Sequence, residues 1–105
     1  KTRAAMLMTD EEIIVRPPWR SLTVTLPCNP GTGYSWDLKD GNVEIKSRSV
    51  KATNRLGGGS AETFSLEIPG RYPNVTGPHV LVFQYKRSWE DGVAREHRVK
   101  VSFQP

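Results

Sequence analysis

Apolar residues recur at every second position in one stretch of this chain after another, and that alternation restricts the fold more than any other feature. Leu22, Val24 and Leu26 form one series; Val43 and Ile45, then Phe64, Leu66 and Ile68, then Val99, Val101 and Phe103 repeat it. A strand turns successive side chains to opposite faces, so each series reads as the apolar face of a half-buried strand. Residues 80–85 are almost continuously apolar, which suits a central strand. Residues 6–15 and 34–38 also read as strands. Long helices are disfavoured because eight prolines and nine glycines punctuate the chain.

The strands are therefore expected within residues 6–15 and at 21–26, 34–39, 43–52, 62–68, 80–86 and 95–103. Short strands separated by turn clusters predict an all-β fold, an immunoglobulin-like β-sandwich of about seven to eight antiparallel strands. A chain of 105 residues is the size of one domain and can bury a core without metal or disulfide staples. The expected domain is 1–105, with the N-terminal segment and first strand in 1–20. The 36% hydrophobic and 25% charged residues are close to globular averages.

The net charge of +4 comes from Lys and Arg interspersed with Asp and Glu, without a basic run, so nucleic acid is not an expected partner. No stretch approaches the roughly 20 apolar residues of a membrane-spanning helix, and no membrane insertion is expected. Residues 1–5 are not followed by a secretory apolar run, and a chain starting at Lys1 reads as processed or trimmed. Cys28 is the one cysteine, so no intrachain disulfide forms and the compartment stays open. A vesicular, lysosome-like or secreted setting is favoured over the cytoplasm.

Three connections carry unusual residues: Cys28-Asn29-Pro30-Gly31-Thr32-Gly33, Arg55-Leu56-Gly57-Gly58-Gly59-Ser60 and Arg87-Ser88-Trp89-Glu90-Asp91-Gly92. They are every second connection. If strands alternate up and down, every second connection emerges at the same end, and the three loops form one surface on a rigid scaffold. Asp40-Gly41-Asn42 reads as a tight turn, and residues 69–78 as a longer connection at the opposite end.

In the first loop Pro30 fixes its own φ and disfavours helix at Asn29, while Gly31 and Gly33 permit backbone angles closed to other residues. A narrow protrusion is expected, with Thr32 at its tip and Asn29 bracing the turn through its side chain. A well-formed turn without a partner fits this motif equally well. The three glycines of the second loop fit a tight bend or the close approach of a partner's backbone, and taken alone they fit a plain flexible connection better, since Gly-rich turns joining strands are common. In the third loop Arg87 and Trp89 are of the residue types most enriched among interface hot spots, which makes Trp89 the expected anchor; the alternative is a Trp89 folded back over the sheet edge with Arg87 merely solvated.

Trp36 falls where immunoglobulin-like sandwiches place a core tryptophan. Trp19 precedes the second strand and is expected at the other end, while Tyr34 and Tyr85 should flank the loop bases. An enzyme would need a nucleophile, a base and an orienter; Cys28, His79 and His97 are the candidates, and nothing in their spacing brings them together. Cys28 reads as a packing residue. No ligand cluster for a metal and no cofactor motif is present. Asn74-Val75-Thr76 matches the glycosylation acceptor pattern in the connection opposite the three loops.

With these motifs the chain resembles the chagasin-like inhibitors of cysteine peptidases, whose loops carry Asn-Pro-Thr-Thr-Gly, Gly-X-Gly-Gly and Arg-Pro-Trp in the same order and spacing. Asn29-Pro30-Gly31-Thr32-Gly33, followed by Tyr34 and Trp36, matches the first with Gly31 in place of one Thr. Gly57-Gly58-Gly59-Ser60 matches the second with Ser60 in place of the last Gly, and Arg87-Ser88-Trp89 the third with Ser88 in place of Pro.

The resemblance implies a non-enzymatic, reversible, competitive inhibitor, a monomer in a one-to-one complex with a papain-like (cathepsin L-like) cysteine peptidase. It implies a binding surface of Asn29, Pro30, Gly31, Thr32, Gly33 and Tyr34, flanked by Leu56, Gly57, Gly58, Gly59 and Ser60 and by Arg87, Ser88 and Trp89. Thr32 would lie nearest the peptidase's catalytic Cys and His. The rival reading is an immunoglobulin-like adhesion or carbohydrate-binding module that uses Trp89 as a stacking platform.

Overall fold

The alternating series become the facing sides of two sheets. The structure is a computed structural model that describes residues 7–52, 59–69 and 79–104. Among these the strands are β1 (Leu7–Val15), β2 (Ser21–Cys28), β3 (Tyr34–Asp40), β4 (Glu44–Ala52), β5 (Ser60–Glu67), β6 (His79–Arg87) and β7 (Arg95–Phe103). Each lies within two residues of its expected position. One sheet has the order β1-β7-β6-β3 and the other β2-β5-β4. The Asn74-Val75-Thr76 acceptor tripeptide lies outside the described residues.

Four of the five pairings are antiparallel as expected, and the fifth corrects the expectation: β1 runs parallel to β7. The cause is the alternation itself. The first and seventh strands of an up-and-down chain point the same way, so they must pair in parallel when they lie side by side in one sheet. The register places Leu7 beside Arg95 and Val15 beside Phe103.

The core holds Leu22, Val24 and Leu26 of β2 and Phe64 and Leu66 of β5 against Trp36, Leu81, Phe83, Tyr85, Val99 and Val101 of the other sheet. Phe64 and Phe83 meet across the sheets with ring centroids 5.1 Å apart, and Trp36 lies 4.8 Å from Tyr85. Burying such aromatic side chains contributes about 1.5–3 kcal/mol each, with about 0.5–1.5 kcal/mol more per ring pair. Residues 80–85 do form a central strand, in which Leu81, Phe83 and Tyr85 are buried and Val80 faces out.

The strand expected at 43–52 differs in burial. Ile45 is 40% exposed and every residue of β4 is solvent-facing, because β4 is an edge strand and its register slips between Ile45 and Ser47. Arg48 closes the gap between this edge and β3. Its guanidinium donates to the Glu62 carboxylate at 2.8 Å and to the Trp36 carbonyl at 2.9 Å, and lies 4.8 Å from the Phe64 ring. One side chain thus satisfies a buried carboxylate and an edge-strand carbonyl of the opposite sheet.

Candidate functional site

Register fixes where the loops emerge. Cys28, the last residue of β2, pairs with Ser60, and Ser60 pairs on its other side with Ala52, the last residue of β4. In the other sheet Tyr34, the first residue of β3, pairs with Arg87, the last of β6. The first loop and the flanks of the second therefore share one level. Leu56, Gly57 and Gly58 lie outside the described residues; Gly59, with φ of 123°, and the half-buried Ser60 lead into β5.

The first loop is a short 3-10 turn, Pro30–Thr32, closed by Gly33 in the left-handed region at φ 82°. Its hydrogen bonds differ from those expected of the sequence. The Asn29 side chain caps nothing; its backbone does the bracing. The Asn29 carbonyl accepts from the Thr32 N–H at 3.1 Å and from the Thr32 hydroxyl at 2.7 Å. The Asn29 N–H donates to the Tyr85 hydroxyl at 2.9 Å. Thr32 is consequently half-buried with its hydroxyl turned inward, and Asn29, Pro30 and Gly31 form the exposed crest.

The third loop is bound to the first. Arg87 continues the inward-facing row of Phe83 and Tyr85 past the end of the core, so its guanidinium folds over the sandwich top. It lies 4.4 Å from the Tyr34 ring, donates to the Thr32 carbonyl at 3.1 Å and pairs with Glu90 at 2.9 Å. Trp89 rests on Gly33, where any Cβ would overlap its indole, yet remains 69% exposed. Ser88 is exposed in the turn that the Glu90 N–H closes onto the Arg87 carbonyl at 3.2 Å.

Below the loops, Tyr34 stacks on Tyr85 with centroids 5.2 Å apart, and the Trp36 indole N–H donates to the Pro27 carbonyl at 2.9 Å, tying the first loop's base to the opposite sheet. Cys28 is half-buried at this base; burial, with the nearby Glu62 carboxylate, pushes its thiol pKa up. His97 is engaged elsewhere, with Thr9 at 2.6 Å and Glu11 at 2.8 Å across the β1–β7 pairing. Trp19 lies at the opposite end, its indole N–H donating to the Gln104 carbonyl at 2.6 Å.

Sequence reasoning missed two participants, Tyr85 as an acceptor for the loop and Arg95 beside it. A signal existed for both: Tyr85 lies two residues before Arg87 on the same face, and Arg95 is its partner in register.

The fold and these loops define a β-sandwich that presents a braced, protruding surface at one end, a class built for binding. The chain belongs to the chagasin family of peptidase inhibitors (I42), whose sequence profile matches residues 20–103. Among solved structures it is similar to the cysteine protease inhibitor EhICP2 from Entamoeba histolytica. That similarity has a TM-score of 0.66 at 17% identity and covers 94% of this chain and 95% of the other. No curated protein sequence matches the chain.

Proposed function

We propose that this protein is a reversible inhibitor of papain-like cysteine peptidases, forming a one-to-one complex in which residues 29–33 enter the active-site cleft. Residues 56–60 would lie along one side and residues 87–89 along the other. The observation that carries this reading is the mutual bracing of the first and third loops. Arg87 holds the Thr32 carbonyl and Trp89 covers Gly33, so the wedge is ordered before it meets a partner. Preorganisation removes most of the loop-ordering cost of association, about 0.5–1.5 kcal/mol per immobilised side chain.

Inhibition follows from occlusion and needs no chemistry by the inhibitor. The crest residues are locked in a 3-10 turn whose carbonyl at Asn29 is already occupied by the Thr32 N–H and hydroxyl. A substrate bound as an extended segment makes no such internal bonds, so this turn offers no peptide bond in cleavable register. A carbohydrate platform is less well supported, because among the described residues Trp89 is the one strongly exposed aromatic at this end.

The test is titration of papain and a cathepsin L-like enzyme with the protein. Stoichiometric, reversible loss of activity is expected. Trp89→Ala should weaken inhibition by about 2 kcal/mol, roughly thirtyfold in Kd, without loss of fold. Full inhibition by a folded Trp89→Ala variant would remove the anchor assignment, and absence of inhibition by the unaltered protein would remove the proposed function.

A further inference from the structure

The motif arginine, Arg87, is already paired inside the inhibitor: Thr32 and Glu90 take two of its five N–H donors, and its guanidinium lies over Tyr34. A second arginine at the same end is not. Arg95, the first residue of β7, is exposed and lies 5.8 Å from the Tyr85 ring, and among the described residues it has no carboxylate or carbonyl partner. It borders a cleft of about 350 Å³ between the first loop and the start of β7, lined also by Asn29, Thr32, Tyr34, Tyr85 and Ala94.

Two further donors on that cleft are unspent. The Tyr85 hydroxyl accepts the Asn29 N–H, but its own proton has no acceptor among the described residues, although Tyr85 is only 6% exposed. The Asn29 carboxamide makes no hydrogen bond there either. Arg95, Tyr85 and Asn29, which carry a guanidinium, a phenolic O–H and an amide N–H₂, thus line one concavity beside the wedge, and among the described residues lining it Arg95 is the only charged one. A carboxylate takes donors from all three, and a charge-assisted pair of this kind is about twice as strong as a neutral hydrogen bond.

We infer that this cleft receives an acidic side chain of the partner peptidase, an Asp or Glu beside its active-site cleft, and that Arg95 is the specificity-determining residue that binds it. The inference rests on the inhibitor reading above. A peptidase with a carboxylate at that place would be bound more tightly than one with a neutral residue there. Long-range attraction to Arg95 would also speed encounter, an effect that salt screens.

The experiment compares the unaltered protein with Arg95→Gln and Arg95→Glu, measuring association and dissociation rates against papain and a cathepsin L-like enzyme at low and high salt. Thermal unfolding checks that the variants remain folded. Arg95→Gln is expected to raise Kd about tenfold against at least one enzyme and to flatten the salt dependence of association, and Arg95→Glu to raise it further. On that enzyme, neutralising cleft-rim carboxylates one at a time (Asp→Asn, Glu→Gln) should find one whose effect is not additive with Arg95→Gln. Equal Kd and equal salt dependence for folded Arg95 variants against both enzymes would overturn the inference while leaving the inhibitor reading standing. Failure of the unaltered protein to inhibit either enzyme would overturn both.

Discussion

Replacing Gly33 by Ala tests the join between the two loops most directly. Gly33 has φ 82°, and a Cβ there would overlap the Trp89 indole. An L-residue in the left-handed region costs about 1–2 kcal/mol. The collision adds little further loss of stability, because Trp89 is 69% exposed and can swing into solvent. The variant should therefore lose about 1–2 kcal/mol, at about 4–8 °C in Tm per kcal/mol for a domain of this size. Inhibition should fall further, about thirtyfold or more, because both the crest and the indole leave their braced positions. Gly31→Ala is the control for stability: no atom lies within 4 Å of a Cβ there, so its unfolding free energy should match that of the unaltered protein within about 0.5 kcal/mol. Circular dichroism melts and peptidase titrations supply both readouts. A Gly33→Ala protein with unchanged Tm and unchanged inhibition would refute the reasoning.

Arg48→Ala should cost about 2 kcal/mol in urea unfolding, since it leaves the buried Glu62 carboxylate and the Trp36 carbonyl without this donor, and adding Glu62→Ala should recover part of it. A loss under about 0.5 kcal/mol would show the clamp to be idle. Ser88→Pro should stabilise by about 0.4–1 kcal/mol, because Arg87 is already extended, the turn position suits proline, and the unfolded chain loses freedom; a lower Tm would count against that turn. Burial raises the Cys28 thiol pKa, so less thiolate is present near neutrality, and iodoacetamide should alkylate the folded protein several-fold more slowly than the protein in guanidinium. Equal rates would contradict that placement.

The strands were legible because their signal is local: Leu22, Val24 and Leu26 announce a buried face without reference to any other part of the chain. The shared end of the first and third loops and of the second loop's flanks was legible for a related reason, since connection order and strand alternation decide it. What stayed hidden depends on which side chains meet between distant segments. The parallel pairing of β1 with β7, the reach of Arg48 across the sandwich and the inward turn of the Thr32 hydroxyl each need the partner strand or loop to be placed first. The exposure of Ile45 was misjudged on the same ground, because alternation reports which face is apolar and not whether a second sheet covers it.

Arg87 shows why residue type alone does not assign a role at such a surface. Arginine is enriched among interface hot spots, and the motif made Arg87 and Trp89 look like two equal anchors. Their surroundings separate them. The bonds that Arg87 makes to Thr32 and Glu90 are formed before a partner arrives, so two of its five N–H donors are already taken, its charge is already paired and its guanidinium is held in place. Trp89 contributes one face to Gly33 and keeps the rest of its surface for contact. In the proposed complex the braced loops would thus divide the work: Arg87 would set the shape of the wedge, Trp89 would both seal it and extend the contact, and the charge that chooses a partner would be that of Arg95.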